Sequence, residues 1–407
     1  MNFNNLSKNH LESLLKQYQA RDFDLSTVNS ASDIIHESSH YFDHLATLSG
    51  QVLLVKVYNA LNELENGTEN DSIIDYLNTL RSWKHDQYAH SLTTRIKDPA
   101  FQNWSYNFGR EFGVDIFDEP NSEAFMTATF KHRGVACGKV PFSIESLWET
   151  NAMWAELTYH FNLAILLKDE DNRIIEGHQI QNKYTSYLYD SEMLIYSLAA
   201  HLTSNFANLG DFIRSFKLSK ALSSISLNLP YCYYSQVKRT KGTCFRGITN
   251  DLLEKNHSLN PCAVFLALLE NIVEAQVDLI KSDFSIDIDE ILEISGLPNK
   301  ATLEARILTE INQLDIDSKS APFSDAYSLQ KKNGINIFNN HGGIEGALNK
   351  HPAFFIELAN KSESCVFQED LEETNAYSRY EENGNRERSM FQAIEKLRQN
   401  KTHKSAL

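Results

Sequence analysis

Apolar residues recur every three or four positions along most of the chain, which is the period of an amphipathic helix. This pattern predicts helices at residues 10–19, 31–65, 72–83, 144–168, 191–206, 261–280 and 301–313. Strand patterns are few. Residues 125–130 and 135–142, on either side of Arg133 and Gly134, predict one hairpin. The sequence therefore predicts a mainly α fold with a small β element.

The helical pattern is interrupted at residues 168–172, where the sequence is Lys-Asp-Glu-Asp-Asn. We therefore expect a first domain at residues 1–168 and a larger helical domain of unknown role at residues 169–368. The tail, residues 369–407, is rich in Glu, Asn, Arg and Lys. It is predicted to be mobile, apart from one exposed helix near residues 390–398.

Composition limits the partners and the compartment. The 407 residues carry a formal net charge of −16, and such an acidic chain repels nucleic-acid phosphates and anionic membranes. No signal peptide or membrane-spanning stretch is evident in the sequence. The five cysteines are scattered and form no Cys-x-x-Cys pair, which is typical of reduced thiols. They are Cys137, Cys232, Cys244, Cys262 and Cys365. We expect a cytoplasmic protein that binds neither nucleic acid nor membrane, and the oligomeric state stays open.

The first candidate site is a His-Glu-x-x-His motif at His36, Glu37 and His40. Residues four apart lie on the same face of a helix, so both imidazoles can bind one metal ion. Glu37 lies beside them, where it can act as the general base for a metal-bound water. Composition predicts ~0.03 such motifs per chain by chance. The surrounding residues must therefore decide between a site and a coincidence.

The residues around the motif favour a site. Ser30 and Asp33 have the spacing of a capping box, which predicts that the helix begins just before the motif. The same polar face carries Asp43 and His44, and no Lys or Arg occurs in residues 22–55. The alternative is an amphipathic surface helix with a solvated face, but such faces normally carry cations. We therefore predict a metal site that Asp43 and His44 support.

A zinc site needs a third protein ligand, and Glu149 is the main candidate. The predicted helix at residues 144–168 is apolar nearly all round, so it should be buried. Even so, Glu149, Glu156 and His160 lie along one stripe of it. Buried carboxylates are costly unless they bind a metal or a partner. The alternative is a solvent-facing edge, or pairing with Lys or Arg. We expect Glu149 to bind zinc, and Glu156 and His160 to support the site.

Other histidines are rival candidates for the third ligand: His44, His85, His90 and His132. His44 follows His40 by one further turn. Three imidazoles on successive turns lie about 6 Å apart, which is too far for one small ion to reach the outer two. We therefore expect His44 to border the site rather than to bind the metal.

With these residues the chain resembles the HExxH zinc metallopeptidases, or zincins, and within them the gluzincin branch. The resemblance rests on the motif at residues 36–40 and on Glu149 in a downstream helix. It covers roughly the first 165 residues. It implies that His36, His40 and Glu149 bind zinc, and that Glu37 activates water to cleave a peptide bond.

The chain departs from the zincin pattern in several respects. The Gly and third His of metzincins do not follow His40, and Met153 stands where gluzincins commonly have Asp. Few residues precede the motif helix, so the sheet that usually comes before it is missing or comes from downstream. We expect the hairpin at residues 125–142 to serve as the substrate-binding edge strand.

Two other functions remain open. A non-haem di-iron protein would use two Glu-x-x-His motifs, at residues 37–40 and 254–257, and two further Glu. That interpretation leaves His36 without a role. A non-enzymatic helical interaction protein would carry the motif by accident. The main prediction is a zinc-dependent endopeptidase that acts on a protein or peptide substrate.

Overall fold

The fold comes from a computed structural model. It describes residues 25–67, 70–91, 95–239, 259–281, 284–318 and 322–351, with short pieces at 12–13, 16–17, 253, 354–355, 385–386 and 388–396. At residues 25–30, 90–91 and 121–123 it describes the backbone alone. The molecule is mainly helical and carries one small sheet, as the sequence predicts.

Along the chain, the four strands come after a first group of helices and before a second group. The first group is α1 (Leu25–Ala46), α2 (Leu48–Asn66) and α3 (Asp71–Lys84). The strands are β1 (His90–Ser91), β2 (Trp104–Val114), β3 (Pro120–His132) and β4 (Val135–Pro141). The second group is α4 (Ile144–Leu166), α5 (Glu170–Leu188), α6 (Leu194–Phe206), α7 (Phe212–Asn228), α8 (Pro261–Ala275), α9 (Ile288–Ile294), α10 (Lys300–Gln313) and α11 (Ser324–Asn340).

Most predicted helices are present, with shifted ends. Those at residues 72–83, 144–168, 191–206, 261–280 and 301–313 correspond to α3, α4, α6, α8 and α10. Helix α8 ends earlier than predicted because Gln276 adopts a left-handed conformation that caps it. The prediction at residues 10–19 lies mostly outside the described residues. The sequence pattern missed α5, α7, α9 and α11.

The predicted helix at residues 31–65 is wrong in its bounds, since it is two helices. Helix α1 already begins at Leu25, so Ser30 and Asp33 lie inside it and do not cap it. The chain breaks at Thr47, whose extended backbone and side chain cap α2 by accepting a hydrogen bond from the Gly50 amide. A Cβ at Gly50 would lie 2.2 Å from the His44 carbonyl oxygen, so the bend is closely packed there.

The sheet is antiparallel with strand order β1-β4-β3-β2. The predicted hairpin is confirmed as β3 and β4, and Arg133 and Gly134 form its turn with positive φ angles. Strand β2 was not predicted. It pairs with β3 along nearly its whole length, so β3 lies inside the sheet. The expectation that the hairpin forms the edge is therefore wrong, because the edges are β1 and β2.

A continuous hydrophobic core joins the sheet to helices from both predicted domains. Its members include Phe130 of β3, Leu147 of α4, Leu222 of α7 and Phe265 of α8. Helix α4 contacts α1 on one side of the predicted boundary and α5, α6 and α7 on the other. The domain boundaries at 168 and 368 stay predictions, but the site described below is held by helices from both sides of residue 168.

The tail contributes one short helix at residues 388–396. Its Met390 and Ile394 are buried against Ala60 of α2 and Leu77 of α3, whereas Phe391 is exposed. The expected exposed helix is therefore amphipathic and covers part of the α2–α3 pair. Among the described residues, no helix is long and apolar enough to cross a membrane.

Candidate metal site

The site forms where α1 and α4 pack side by side. Ser32 of α1 contacts His160 of α4, and further along α1, His40 faces Glu149, which lies nearer the start of α4. The two helices are therefore antiparallel. Ser143 caps the start of α4 in a reciprocal capping box with Ser146, directly after β4. The sheet thus fixes the start of α4 and places Glu149 in its second turn.

The three predicted ligands converge. Oε2 of Glu149 lies 3.3 Å from Nε2 of His36 and 3.4 Å from Nε2 of His40. One ligand atom from each of the three residues can be chosen so that all lie within 4.8 Å of one another. The side chains of His36, His40 and Glu149 are 15%, 19% and 14% exposed. The group is thus mostly buried but reached by solvent, which leaves an accessible position for a further ligand.

The donor set fits a transition-metal ion such as zinc. Two imidazole nitrogens and one carboxylate oxygen are the ligands of many catalytic zinc sites. Among the described residues, the buried Oε2 of Glu149 accepts no hydrogen bond of ordinary geometry. Such an oxygen is costly unless an ion or a donor compensates it. A cation between the three ligand atoms would satisfy it.

The charges of the cluster act on one another. Burial alone would lower the pKa of His36, but the facing carboxylates of Glu149 and Glu156 outweigh it and raise that pKa to about 9. Burial alone would raise the pKa of Glu149, but His36 and His40 lower it to about 2. In the absence of a metal ion, the cluster therefore holds a proton on His36 between ionised carboxylates.

Glu156 and His160 lie on the same stripe of α4, as predicted, but they have different partners. Oε2 of Glu156 lies 3.6 Å from Nδ1 of His36, and its Oε1 accepts a hydrogen bond from Lys183 of α5 at 3.2 Å. Nε2 of His160 faces Lys183 at 3.1 Å and the Ser32 hydroxyl at 3.2 Å. Burial and the Lys183 charge lower the pKa of His160 to about 4. His160 is therefore a neutral acceptor for Lys183.

Asp43 and His44 do not reach the three ligand atoms. The Asp43 carboxylate is buried beside Asn151 and Lys220. His44 packs on Trp148 with ring centroids 4.3 Å apart, and its Nδ1 donates to the His40 carbonyl oxygen at 2.7 Å. Burial lowers the pKa of His44. His44 thus lies beside the motif and hydrogen-bonds the backbone of His40, a candidate ligand.

The other rival histidines lie in different surroundings. His85 stacks on Phe125 with ring centroids 3.7 Å apart, and burial lowers its pKa to about 3. His132 contacts Asp98 through Nε2 at 2.8 Å, which ties the end of β3 to the segment that precedes β2. The side chain of His90 lies outside the described residues. Neither His85 nor His132 joins the metal-ligand group among the described residues.

Glu37 and Tyr196 flank the cluster. Glu37 is half-buried, and its charge acts on Tyr196. The ring of Tyr196 on α6 lies 6.1 Å from the ring of His36. Burial, with the nearby Glu149 charge, raises the pKa of Tyr196 to about 12. Its phenol is therefore protonated at neutral pH and can donate a hydrogen bond.

Sequence reasoning missed Tyr196 and Lys183. Both follow the motif by well over a hundred residues, and no fixed spacing relates them to it. Lys183 lies on α5, which the hydrophobic pattern did not predict. Only the packing of α5 and α6 against α4 brings the two side chains to the cluster.

Comparison with protein-family models, curated proteins and solved structures finds no match for this chain.

Proposed function

We propose that this protein is a zinc-dependent endopeptidase whose ligands are His36, His40 and Glu149. The observation that carries the proposal is the convergence of these three side chains, from two helices, on one partly exposed point. The residue types and the i, i+4 spacing of the imidazoles are those of hydrolytic zinc sites. The resemblance to gluzincins supports a peptide bond as the target.

The residues around the ligands have separate tasks in this proposal. Zinc at this position would supply a Lewis acid and lower the pKa of a bound water towards ~7. Glu37 accepts a proton from the attacking water and passes it to the leaving amine. Tyr196, protonated and beside His36, donates a hydrogen bond to the carbonyl oxygen of the substrate as negative charge develops there.

The arrangement favours this function over a di-iron protein. His36, which the di-iron interpretation leaves without a role, faces Glu149 directly. Glu37, which that interpretation needs as a ligand, is not a member of the metal-ligand group. The second motif, at Glu254 and His257, lies outside the described residues.

The proposal is tested by replacing the base while keeping the ligands. The protein should purify with about one zinc per chain, and it should cleave members of a peptide library derived from a proteome. Glu37→Gln should retain zinc and thermal stability but lose at least ~100-fold in cleavage rate, because the amide cannot accept the proton. Mass spectrometry of the library and elemental analysis of both proteins give the two readouts.

Glu293→Gln is the matched control, since Glu293 is an exposed residue of α9. It should change neither zinc content nor cleavage. A Glu37→Gln variant that keeps both its zinc and full activity would overturn the peptidase mechanism. One that loses its metal would assign Glu37 as a ligand and favour the di-iron alternative.

A further inference from the structure

Both ring nitrogens of His36 face a carboxylate. Nε2 lies 3.3 Å from Oε2 of Glu149, and Nδ1 lies 3.6 Å from Oε2 of Glu156. The two glutamates are seven residues apart on α4, which is close to two turns, so their side chains leave the same face of the helix. His36 therefore lies between two carboxylates that leave the same face of α4.

An imidazole that binds a metal through one nitrogen carries a proton on the other. A hydrogen-bond acceptor at that second nitrogen fixes the tautomer and the orientation of the ring, and its loss weakens metal binding. With Nε2 facing Glu149 and His40, the proton of His36 lies on Nδ1, toward Glu156. Met153, four residues after Glu149, has no oxygen that could accept a hydrogen bond from His36.

Helix α5 holds Glu156 in place. Lys183 donates to Oε1 of Glu156 at 3.2 Å and lies 3.1 Å from Nε2 of His160. Since Lys183 engages Oε1, the other oxygen of the carboxylate is left for His36. The side chain of Glu156 is only 14% exposed, so water competes little for it.

We infer that Glu156 is a positioning residue that orients His36 as a metal ligand, and that Lys183 fixes Glu156 from α5. The inference rests on the proposed metal site. It places the orienting carboxylate three residues after Met153, which stands where gluzincins commonly have Asp. It also makes α5, which lies beyond the predicted domain boundary, a necessary part of the metal site.

The test measures zinc affinity by chelator competition, with thermal unfolding of the metal-free protein as a separate readout. Glu156→Ala should retain one zinc site but bind zinc ~10–100-fold more weakly. Glu156→Gln keeps an acceptor oxygen, so its affinity should lie between those of Glu156→Ala and the wild type. Lys183→Met should weaken zinc binding less than Glu156→Ala. In the Glu156→Ala background, Lys183→Met should cause no further loss of zinc affinity, because Lys183 acts through Glu156.

Cobalt(II) in place of zinc separates positioning from ligation. If Glu156 only orients His36, the visible absorption of the cobalt protein should keep its band positions in Glu156→Gln, since the ligand set is unchanged. Altered cobalt bands would instead make Glu156 a ligand and overturn the inference. So would unchanged zinc affinity in Glu156→Ala while the wild type binds zinc. That result would leave the proposed function intact, whereas failure of the Glu37→Gln experiment would leave the role of Glu156 intact.

Discussion

Two polar clusters lie on α1 and α4, the second with a lysine from α7, and they differ in their exposure to solvent. In the first, the side chains of His36, His40, Glu149 and Glu156 are 14–19% exposed. In the second, one turn further along α1, the side chains of Asp43 and Lys220 are each 2% exposed. We call them the open cluster and the sealed cluster. The polar face of α1 therefore carries both a candidate metal site and a buried ion pair.

The sealed cluster pairs one carboxylate with one ammonium group, although Nζ of Lys220, like Oε2 of Glu149, makes no ordinary hydrogen bond among the described residues. Asn151 donates to Oδ2 of Asp43 at 2.7 Å, and Nζ of Lys220 lies 3.7 Å from Oδ1. Burial lowers the pKa of Lys220, and Asp43 opposes that shift. One residue each from α1, α4 and α7 thus meets at a point that water does not reach. This arrangement fixes the register of α1 against α4, and that register brings His36 and His40 to Glu149.

In the open cluster the cations that face the carboxylates are the protonated His36, whose proton a metal ion can replace, and Lys183, which pairs with Glu156. The cluster places two carboxylates around His36, and Oε2 of Glu149 lacks an ordinary hydrogen bond among the described residues. A buried ion pair that loses a partner destabilises the fold. A metal site that loses a ligand loses the ion. Substitutions in the two clusters should therefore have different consequences.

The largest effect is expected in the open cluster. The double variant His36→Ala, His40→Ala should lose stoichiometric zinc altogether, because one carboxylate cannot hold the ion alone. Glu149→Ala should weaken zinc binding strongly while the protein stays folded. Zinc content by elemental analysis and secondary structure by circular dichroism are the measurements.

Glu145→Ala is the matched control for Glu149→Ala. Glu145 lies one turn earlier on α4, but its carboxylate pairs with Lys84 at 3.4 Å and does not join the ligand group. It should leave the zinc content unchanged. Full zinc occupancy in the double histidine variant would contradict the site, and equal losses in the two glutamate variants would contradict the choice of Glu149.

The next effect is expected in the sealed cluster, and it concerns stability. Lys220→Ala leaves the buried Asp43 carboxylate without its cation, which should cost about 3–5 kcal/mol of unfolding free energy. Urea unfolding of the metal-free protein measures this. The double variant Asp43→Asn, Lys220→Met removes both charges and should recover much of the loss. If Lys220→Ala unfolds like the wild type, the sealed cluster does not hold the helices.

Much of the open cluster could be predicted from the sequence, because its signals are local. The spacing of His36 and His40 places them on one face, and Glu149 stands out as a carboxylate in an apolar helix. Both clusters share that face of α1, so periodicity assigned Asp43 to the metal site as well. What distinguishes the two clusters is that Asp43 pairs with Lys220. The sequence does not indicate this pairing.

Helix α7 shows why the rest could not be predicted. Its lysines and serines are typical of a solvated helix, yet Lys217, Lys220 and Ser223 are buried in the structure. Tertiary partners on other helices decide this, and they are distant in sequence. The break at Thr47 was missed for a similar reason. Thr47 fits a helix interior by local pattern, and only the close packing at Gly50 shows that α1 ends there.

The smallest effect concerns pH, and it also distinguishes the clusters. In the metal-free protein, His36 has a pKa of about 9, above its ordinary 6.5, so its stabilisation is complete below pH 6.5 and is lost as pH rises through 9. Glu149 and Glu156 have pKa values of about 2, below the ordinary 4.5. Their stabilisation is present above pH 4.5 and is lost as pH falls through 2. The open cluster therefore stabilises the metal-free protein most between pH 4.5 and 6.5.

Zinc must displace the proton of His36, so zinc affinity should rise about tenfold per pH unit up to about pH 9. Chelator competition between pH 7 and pH 9, with the chelator's own protonation subtracted, measures this slope. Asp43 is not a member of the metal-ligand group among the described residues, so the charge-free double variant Asp43→Asn, Lys220→Met should show the same slope as the wild type. An affinity that stays constant over this range would show that His36 carries no proton for zinc to displace. In that case Glu149 and Glu156 would not keep His36 protonated.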